Sequence, residues 1–251
     1  MAEAAGPALV LAGFGSSSAL QLTIEAQQMA VHLGHVLSLG LPERLRALLT
    51  RQGVEVTALD HLLAEKPFAE GYASIGQAVL ARAQKDPPAM FISQGSPLFV
   101  NAITRYLAAE AAKLQLAVRI FPGVSPVDVI VAEFGIDVGR AGLQTITAGG
   151  AVARPAAINP RMPLVLLDLA GLAAAGESAE AYGPLVEVLR KVYPPNQPVT
   201  LVNMNGSCSI ARLTVALEKF GELLPKIDLS SALFIDIRRK TAQGSSDSQA
   251  R

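Results

Sequence analysis

Two short stretches of small residues could do chemistry in this chain, Gly95-Ser96-Pro97 and Pro122-Gly123-Val124-Ser125. Each follows an apolar run, residues 89–93 and 116–121, of the kind that forms a buried strand. Residues 100–114 between them have helical periodicity. The two runs are therefore expected to be parallel strands joined by a crossover helix, with both loops on one edge of one sheet. Open α/β sheets bind ligands at that edge. Glycines there let backbone N–H and C=O groups come close to a ligand, and Gly95 and Gly123 are the positions expected to give that access.

Other chemistries fit less well. Gly13-Phe14-Gly15 turns the chain after a first apolar run, but the third glycine of a dinucleotide fingerprint is replaced by Ser18, and the run 36–39 ends at Gly40 without a carboxylate. A Walker lysine pattern is absent. There is no Gly-x-Ser-x-Gly elbow, and His61, the last histidine, comes too early for a common triad order. His32 and His35 are expected on one helical face, without further metal ligands nearby, as surface or interface residues. Cys208, the one cysteine, can form neither an internal disulfide nor a cysteine-rich metal site, and is read as a small semi-buried residue. Lys plus Arg equals Asp plus Glu at 21 each, with no basic block, which argues against sequence-independent nucleic-acid binding. No apolar run reaches the ~18 residues of a membrane span. No Lys or Arg precedes the first apolar run, so a secretory signal is not expected. A cytoplasmic protein with neither nucleic-acid nor membrane partners is the expectation.

The elements that must position the loops follow from patterning. With 251 residues, 51% hydrophobic and 17% charged, the chain can bury a substantial core. Strands are expected at 8–12, 36–39 and 54–59. A helix is expected at 19–33 capped by Ser16–Ser18, another from Pro42 to 51, and a third over 72–84. This alternation predicts a mainly parallel sheet in an N-terminal α/β domain, residues 1–121. Later apolar runs at 143–148, 163–170, 199–204 and 232–237 predict a second α/β domain with a mixed sheet, residues 122–240. Helical segments are expected there at 178–192 and 210–220, and a Gly/Pro/Ala-rich link at 149–163. Residues 241–251 are too polar to bury and are expected to be a disordered tail.

Taken in order, Gly13-Phe14-Gly15 with Leu22-Thr23, then Gly95-Ser96-Pro97, then Pro122-Gly123-Val124-Ser125 resemble three loops of the tetrapyrrole methylase superfamily of S-adenosylmethionine-dependent methyltransferases. These are its N-terminal glycine loop, its Gly-Asp-Pro or Gly-His-Pro loop and its Pro-Gly-(Ile/Val)-Ser loop. The resemblance runs over nearly the whole chain. Within the superfamily it is nearest the borosin-type peptide backbone α-N-methyltransferases. That match is carried by Gln21-Leu22-Thr23-Ile24-Glu25-Ala26, residues 122–128, Ile136-Asp137, Gln144-Thr145 and Leu229-Ser230-Ser231-Ala232-Leu233-Phe234-Ile235. The resemblance implies two α/β domains with S-adenosylmethionine folded in the cleft between them, no metal, a homodimer, and a peptide acceptor supplied in trans. It implies cofactor contacts at Gly13 and Gly15, at Gln94, Gly95, Ser96, Pro97, Val100 and Asn101, and at Gly123 and Ser125. Asp168, Leu169, Met204 and Asn205, at the ends of later strands, complete that set. Tyr72 matches a family tyrosine and is the implied catalytic residue, as acid/base or orienting group.

The chain also departs from the borosin pattern. That pattern has an Arg four residues before the Tyr, where this chain has Phe68. Its Tyr-Gly-His-Pro is here Gln94-Gly95-Ser96-Pro97, and Asp168 stands where it has a Gln. An amide nitrogen is a weak nucleophile because its lone pair is shared with the carbonyl. Methylating it needs deprotonation or stabilisation of the imidate oxygen. An amine, hydroxyl or ring carbon needs less help, and the in-line transfer itself needs mainly alignment. A peptide acceptor is therefore followed by a natural-product small molecule, and a catalytically impaired paralogue that binds a peptide or partner is the alternative. Asp128 is expected to cap the helix after the third loop, ahead of a role in holding substrate. Asp168 is expected to hold the cofactor's ammonium or a cationic acceptor, or to be paired for stability. Tyr106 is expected in the core or an interface.

Overall fold

The computed structural model describes residues 6–18, 20–63, 68–173, 179–204 and 210–237. Along the first half run β1 (Leu9–Gly13), α1 (Ile24–Leu33), β2 (His35–Ser38), α2 (Glu43–Arg51), β3 (Glu55–Ala58), α3 (Phe68–Lys85), β4 (Ala89–Ser93), α4 (Ala102–Lys113) and β5 (Val118–Phe121). The strands form a parallel sheet of order β3-β2-β4-β1-β5. β1 is buried along its whole length, as a central parallel strand covered on both faces must be. Val10, Ala12, Met90 and Ile92 face α1 and α2, whereas Leu9, Leu11 and Phe91 face α3 and α4.

Helix α1 starts later than expected. Its N-cap is Thr23, whose hydroxyl accepts from the Ala26 N–H. Ser16–Ser18 instead form a bend closed by Gln21, whose Oε1 accepts from the Ser17 and Ser18 N–H groups. Gly34, at φ 68°, ends α1, so His32 and His35 do not share a helix face. His32 is in the last turn of α1, and His35 opens β2 with Nε2 3.0 Å from Thr57 Oγ1.

The second half comprises α5 (Pro126–Glu133), α6 (Val138–Ala141), β6 (Gln144–Thr147), α7 (Ala148–Ala153), β7 (Leu164–Leu167), α8 (Gly183–Val192), β8 (Pro198–Asn203), β9 (Ala211–Ala216) and β10 (Ser231–Ile235). Its sheet has the order β6-β7-β10-β8-β9, with β6 parallel to β7 and the other pairs antiparallel. The fold class is thus two α/β sheets, one parallel and one mixed. Two expectations fail locally. The link 149–163 contains most of α7 and a further turn at Pro155–Ala157. Residues 210–220, expected to be helical, are strand β9 followed by the 3-10 run Leu217–Lys226. The spacing of Leu213, Leu217 and Phe220 mimics a helix. Pairing of β9 with β8, including a 2.8 Å hydroxyl contact between Thr200 and Thr214, decides otherwise.

One face of the second sheet presents Val165, Leu167, Val202 and Phe234 to Val129 and Ile130 of α5. Phe99, from the loop after β4, and Val124, from the loop after β5, pack into that same cluster. The tips of the parallel strands are therefore pinned against a face of the mixed sheet. Cys208 and residues 241–251 lie outside the described residues. No described helix is long and apolar enough to cross a membrane.

Candidate active site

β1 and β4 are neighbours, yet β1 leads to α1 on one face of the sheet and β4 leads to α4 on the other. Their loops diverge at a topological switch point, the place where open α/β sheets hold ligands. Here the crevice floor is knitted shut. Gly15 N–H donates to Gly95 O at 3.1 Å, and Gly95 N–H donates to Gly15 O at 2.9 Å. Ser16 Oγ, buried, donates to Val124 O at 3.1 Å, and Gly123 N–H donates to Ser96 Oγ at 3.4 Å. All three glycine loops meet at one point.

The glycines do different work from that expected. A Cβ on Gly13 would stand 2.1 Å from Gly95 O, and one on Gly123 would stand 2.5 Å from the same oxygen. A Cβ on Gly15 would meet the Gln21 side chain at 2.3 Å. At these three positions the space left by the missing side chain is filled by the protein itself. Only Gly95 faces open room: its nearest neighbour there would be Ser16 Oγ at 3.7 Å, and its φ of 77° requires the left-handed region. Access to a ligand is thus concentrated at Gly95, and Gly123 is small for the sake of its neighbours.

The loop that continues from Gly95 is fixed by polar contacts. Asn101 Oδ1 accepts from Thr104 N–H at 3.2 Å and so caps α4. Its amide donates to Ser93 Oγ at 3.0 Å and to Gln94 O at 3.1 Å. Leu98 N–H donates to Thr104 Oγ1 at 3.3 Å. Asn101 therefore serves the site by holding the loop. Gln94 is exposed, Ser96 partly so, and Pro97 buried. Ser125 is likewise committed: it forms a reciprocal capping box with Asp128, which confirms the capping role read for Asp128.

Beyond the loop lies a cavity of about 250 Å³ between the two sheets, lined by Phe99 and Val100 on one side and by Thr145, Ile146, Thr147, Arg154 and Leu167 on the other. Its walls are mostly apolar, with two hydroxyls and one guanidinium. Next to Leu167, Asp168 ends β7 at φ 55° and folds its carboxylate over Gly171, where a Cβ would lie 2.6 Å from Oδ1. The Gly171 N–H donates to that carboxylate. Across the cleft, Arg105 of α4 and Tyr72 of α3 both lie within electrostatic reach of Asp168. Asp168 is exposed as a residue, but partial burial of its carboxyl pushes it above the usual carboxylate range, and the Gly171 hydrogen bond and the Arg105 charge offset this only in part. Burial, and secondly the Asp168 charge, push the half-buried Tyr72 phenol above its ordinary value.

Asp168 thus favours its protonated form more in the folded chain than in the unfolded one. Stability falls as pH rises from the ordinary carboxylate range through the folded pKa, and the penalty is complete above it. Asn tolerates the left-handed conformation and keeps an acceptor for Gly171. Asp168→Asn is therefore expected to be more stable than the unmodified chain at pH 7. The gap should close as the pH is lowered through the folded pKa and past the ordinary carboxylate range, as denaturant titrations at pH 7 and pH 3 would show. A gap that widens on acidification would show the Arg105 attraction to outweigh burial.

Most of the expected site residues therefore converge where the loops of β1, β4 and β5 meet the second sheet. Leu169 does not face the cleft: it is fully buried in the core behind the mixed sheet. The Met204 side chain is 2% exposed within the cluster that also receives Phe99 and Val124, and its N–H donates to Ser230 O. Asn205 lies outside the described residues. Phe68 opens α3. Tyr106 is a packing residue, as expected; its ring fills the place of a side chain at Gly76, where a Cβ would lie 2.2 Å away. Sequence reading missed Arg105, Arg154 and Ser16. Arg105 lies on an exposed helix position and Arg154 is the exposed residue that ends α7, so nothing in their spacing marks them.

The parallel sheet, the mixed sheet and the joint between strand tips and sheet face define a two-sheet α/β protein with its crevice at the strand tips. A profile of the tetrapyrrole (corrin/porphyrin) methylases matches residues 8–218, and the chain belongs to that family. Uroporphyrin-III C-methyltransferase from Thermus thermophilus has a similar fold, with a TM-score of 0.63 in its native form and 0.64 in its complex with S-adenosylhomocysteine. Each of these structures is 19% identical to this chain and covers 91% of it, and the match spans 92% and 97% of those chains respectively. Cobalt precorrin-4 methyltransferase, a cobalamin biosynthetic enzyme, aligns at a TM-score of 0.63 and 13% identity over 91% of this chain and 94% of its own. No curated protein sequence matches the chain.

Proposed function

We propose that this chain is an S-adenosylmethionine-dependent methyltransferase whose acceptor is a peptide supplied in trans. The observation that carries the cofactor assignment is the junction of three glycine loops at one switch point, with open room above Gly95 alone and the cavity beside it. The residues present fit the cofactor. Apolar walls from Phe99, Val100 and Leu167 suit an adenine ring, and the hydroxyls of Thr145 and of Thr147, which also caps α7, suit a ribose. At about 250 Å³ the cavity is just below the usual range of about 300–1,000 Å³, so a ligand seated there also extends over the Gly95 loop. Bound, the cofactor supplies an electrophilic methyl group on a sulfonium.

The chain's own residues align and polarise the acceptor. Tyr72, held protonated, is a hydrogen-bond donor, suited to the oxygen of an amide whose nitrogen is being methylated. Arg105 brings to the same cleft a cation that the Phe68 position lacks. This supports the peptide reading, which otherwise rests on the motif matches to borosin-type enzymes. A homodimer belongs to the same proposal, and Leu20, in the turn before α1, and Ile24, its first residue, 50% and 77% exposed, offer apolar surface for it.

Calorimetric titration with S-adenosylhomocysteine is expected to show micromolar binding. An absence of heat and of any thermal shift at millimolar ligand would overturn the enzyme reading in favour of a binding module that has kept the fold. Label from methyl-tritiated cofactor is expected in a peptide fraction. Its appearance only in small molecules would move the acceptor to the second class.

A further inference from the structure

Among the described residues, four that are not glycine hold φ in the left-handed region: Leu98 at 63°, Val100 at 51°, Gln115 at 55° and Asp168 at 55°. Gln115 directly follows the C-cap of α4, where helices commonly end this way. The other three border one cavity. Val100 lines it, Leu98 precedes the lining residue Phe99, and Asp168 follows the lining residue Leu167. A β-branched residue such as Val100 at positive φ is a true outlier. Leu98 and Val100 are also 45% and 41% exposed, unlike most of the large apolar residues.

Such a path persists only where the surroundings over-determine it. Here they do so from both sides. The Asn101 amide ties the end of the loop to Ser93 and Gln94, and Thr104 holds Leu98 N–H. Ser93 and Thr104 are 2% and 0% exposed, so these partners are themselves immobile. Between the ties, Phe99 is seated in the apolar cluster of the second sheet. A relaxed backbone at 98–100 would carry Phe99 out of that seat and Val100 off the cavity wall.

We propose that the left-handed conformations of Leu98 and Val100 on either side of Phe99 pre-organise this wall for the methyl donor, which makes Val100 and Asn101 positioning residues for the transfer. The proposal rests on the methyltransferase reading above. Its effect is on the free protein: the loop is already in the binding conformation, so ordering it is not charged against ligand affinity.

The backbone and side-chain contributions of Val100 separate cleanly. Val100→Ala shortens the side chain and keeps the unfavourable φ, whereas Val100→Gly also relieves it. In an ordinary loop glycine is the less stable of the two, because its unfolded chain is freer. At φ 51° the order reverses. The glycine variant is expected to melt about 2–4 °C above the alanine variant, yet to bind S-adenosylhomocysteine about tenfold more weakly. Greater stability with weaker binding is an outcome that a merely structural loop does not give. Equal affinities in the two variants would overturn the proposal. Asn101→Asp keeps the cap acceptor for Thr104 and loses the amide donors. It is expected to bind about tenfold more weakly with unchanged helix content, and unchanged affinity would remove Asn101 from the role. Failure of the unmodified chain to bind S-adenosylhomocysteine would instead overturn the methyltransferase reading.

Discussion

Gly13→Ala is expected to be among the most damaging single-methyl changes in the chain. Its Cβ would lie 2.1 Å from Gly95 O and 2.9 Å from Pro97 Cδ. The first is backbone and the second a proline ring, so neither can swing aside. β1 and β4 would have to part at their tips, breaking the paired bonds between Gly15 and Gly95 and withdrawing Ser16 from Val124. Overpacking against immobile backbone in a buried strand is expected to cost about 3 kcal/mol or more, which lowers Tm by about 6–12 °C for a chain of this size. S-adenosylhomocysteine binding should be lost with it. Gly95→Ala is the control. It carries the φ penalty of about 1–2 kcal/mol but meets nothing nearer than Ser16 Oγ at 3.7 Å. Thermal melts that rank Gly95→Ala as the worse variant would show that the tips do not meet as described.

Tyr72→Phe is expected to lower turnover of the labelled acceptor about 100-fold and to leave S-adenosylhomocysteine affinity within about twofold. The direction of the pKa shift decides the form of the effect. A phenol raised by burial and by the Asp168 charge is protonated throughout the neutral range, so it donates a hydrogen bond rather than removing a proton. Between pH 7 and pH 9 the unmodified enzyme should therefore show no rise in rate due to this residue. A rate that climbs steeply with pH and loses that climb in Tyr72→Phe would make it a base instead. Unchanged turnover in the variant would remove Tyr72 from the chemistry and leave it as an aromatic packed against the core between the parallel sheet and α3 and α4.

Much of this arrangement was legible in the amino-acid sequence because parallel strands buried on both faces must be continuous apolar runs. Leu9–Gly13 and Ala89–Ser93 are of that kind, and their small-residue tips follow. What a glycine touches is not legible. Gly13 and Gly123 signal a close approach, but whether to a ligand or to a neighbouring carbonyl depends on how two loops far apart in sequence settle on each other. Arg105 was missed for a similar reason: its relation to Asp168 exists only once the second sheet is docked. Leu98 and Val100 gave no warning of their conformation, since β-branched and γ-branched residues ordinarily exclude it. β9 was misread because a strand that runs into a 3-10 segment can imitate helical spacing, and only its partner β8 resolves the ambiguity.

The order β3-β2-β4-β1-β5 also bears on how the protein is made. β1 leaves the ribosome well before either of its neighbours, β4 from Ala89 and β5 from Val118. Until β4 has emerged, β1 is an apolar ribbon with two unpaired edges, and its second edge stays open until β5 follows. Slow closure of such non-local parallel pairings leaves it exposed to self-association. Yield on overexpression should therefore respond more to chaperone supply and growth temperature than to the equilibrium stability of the finished molecule.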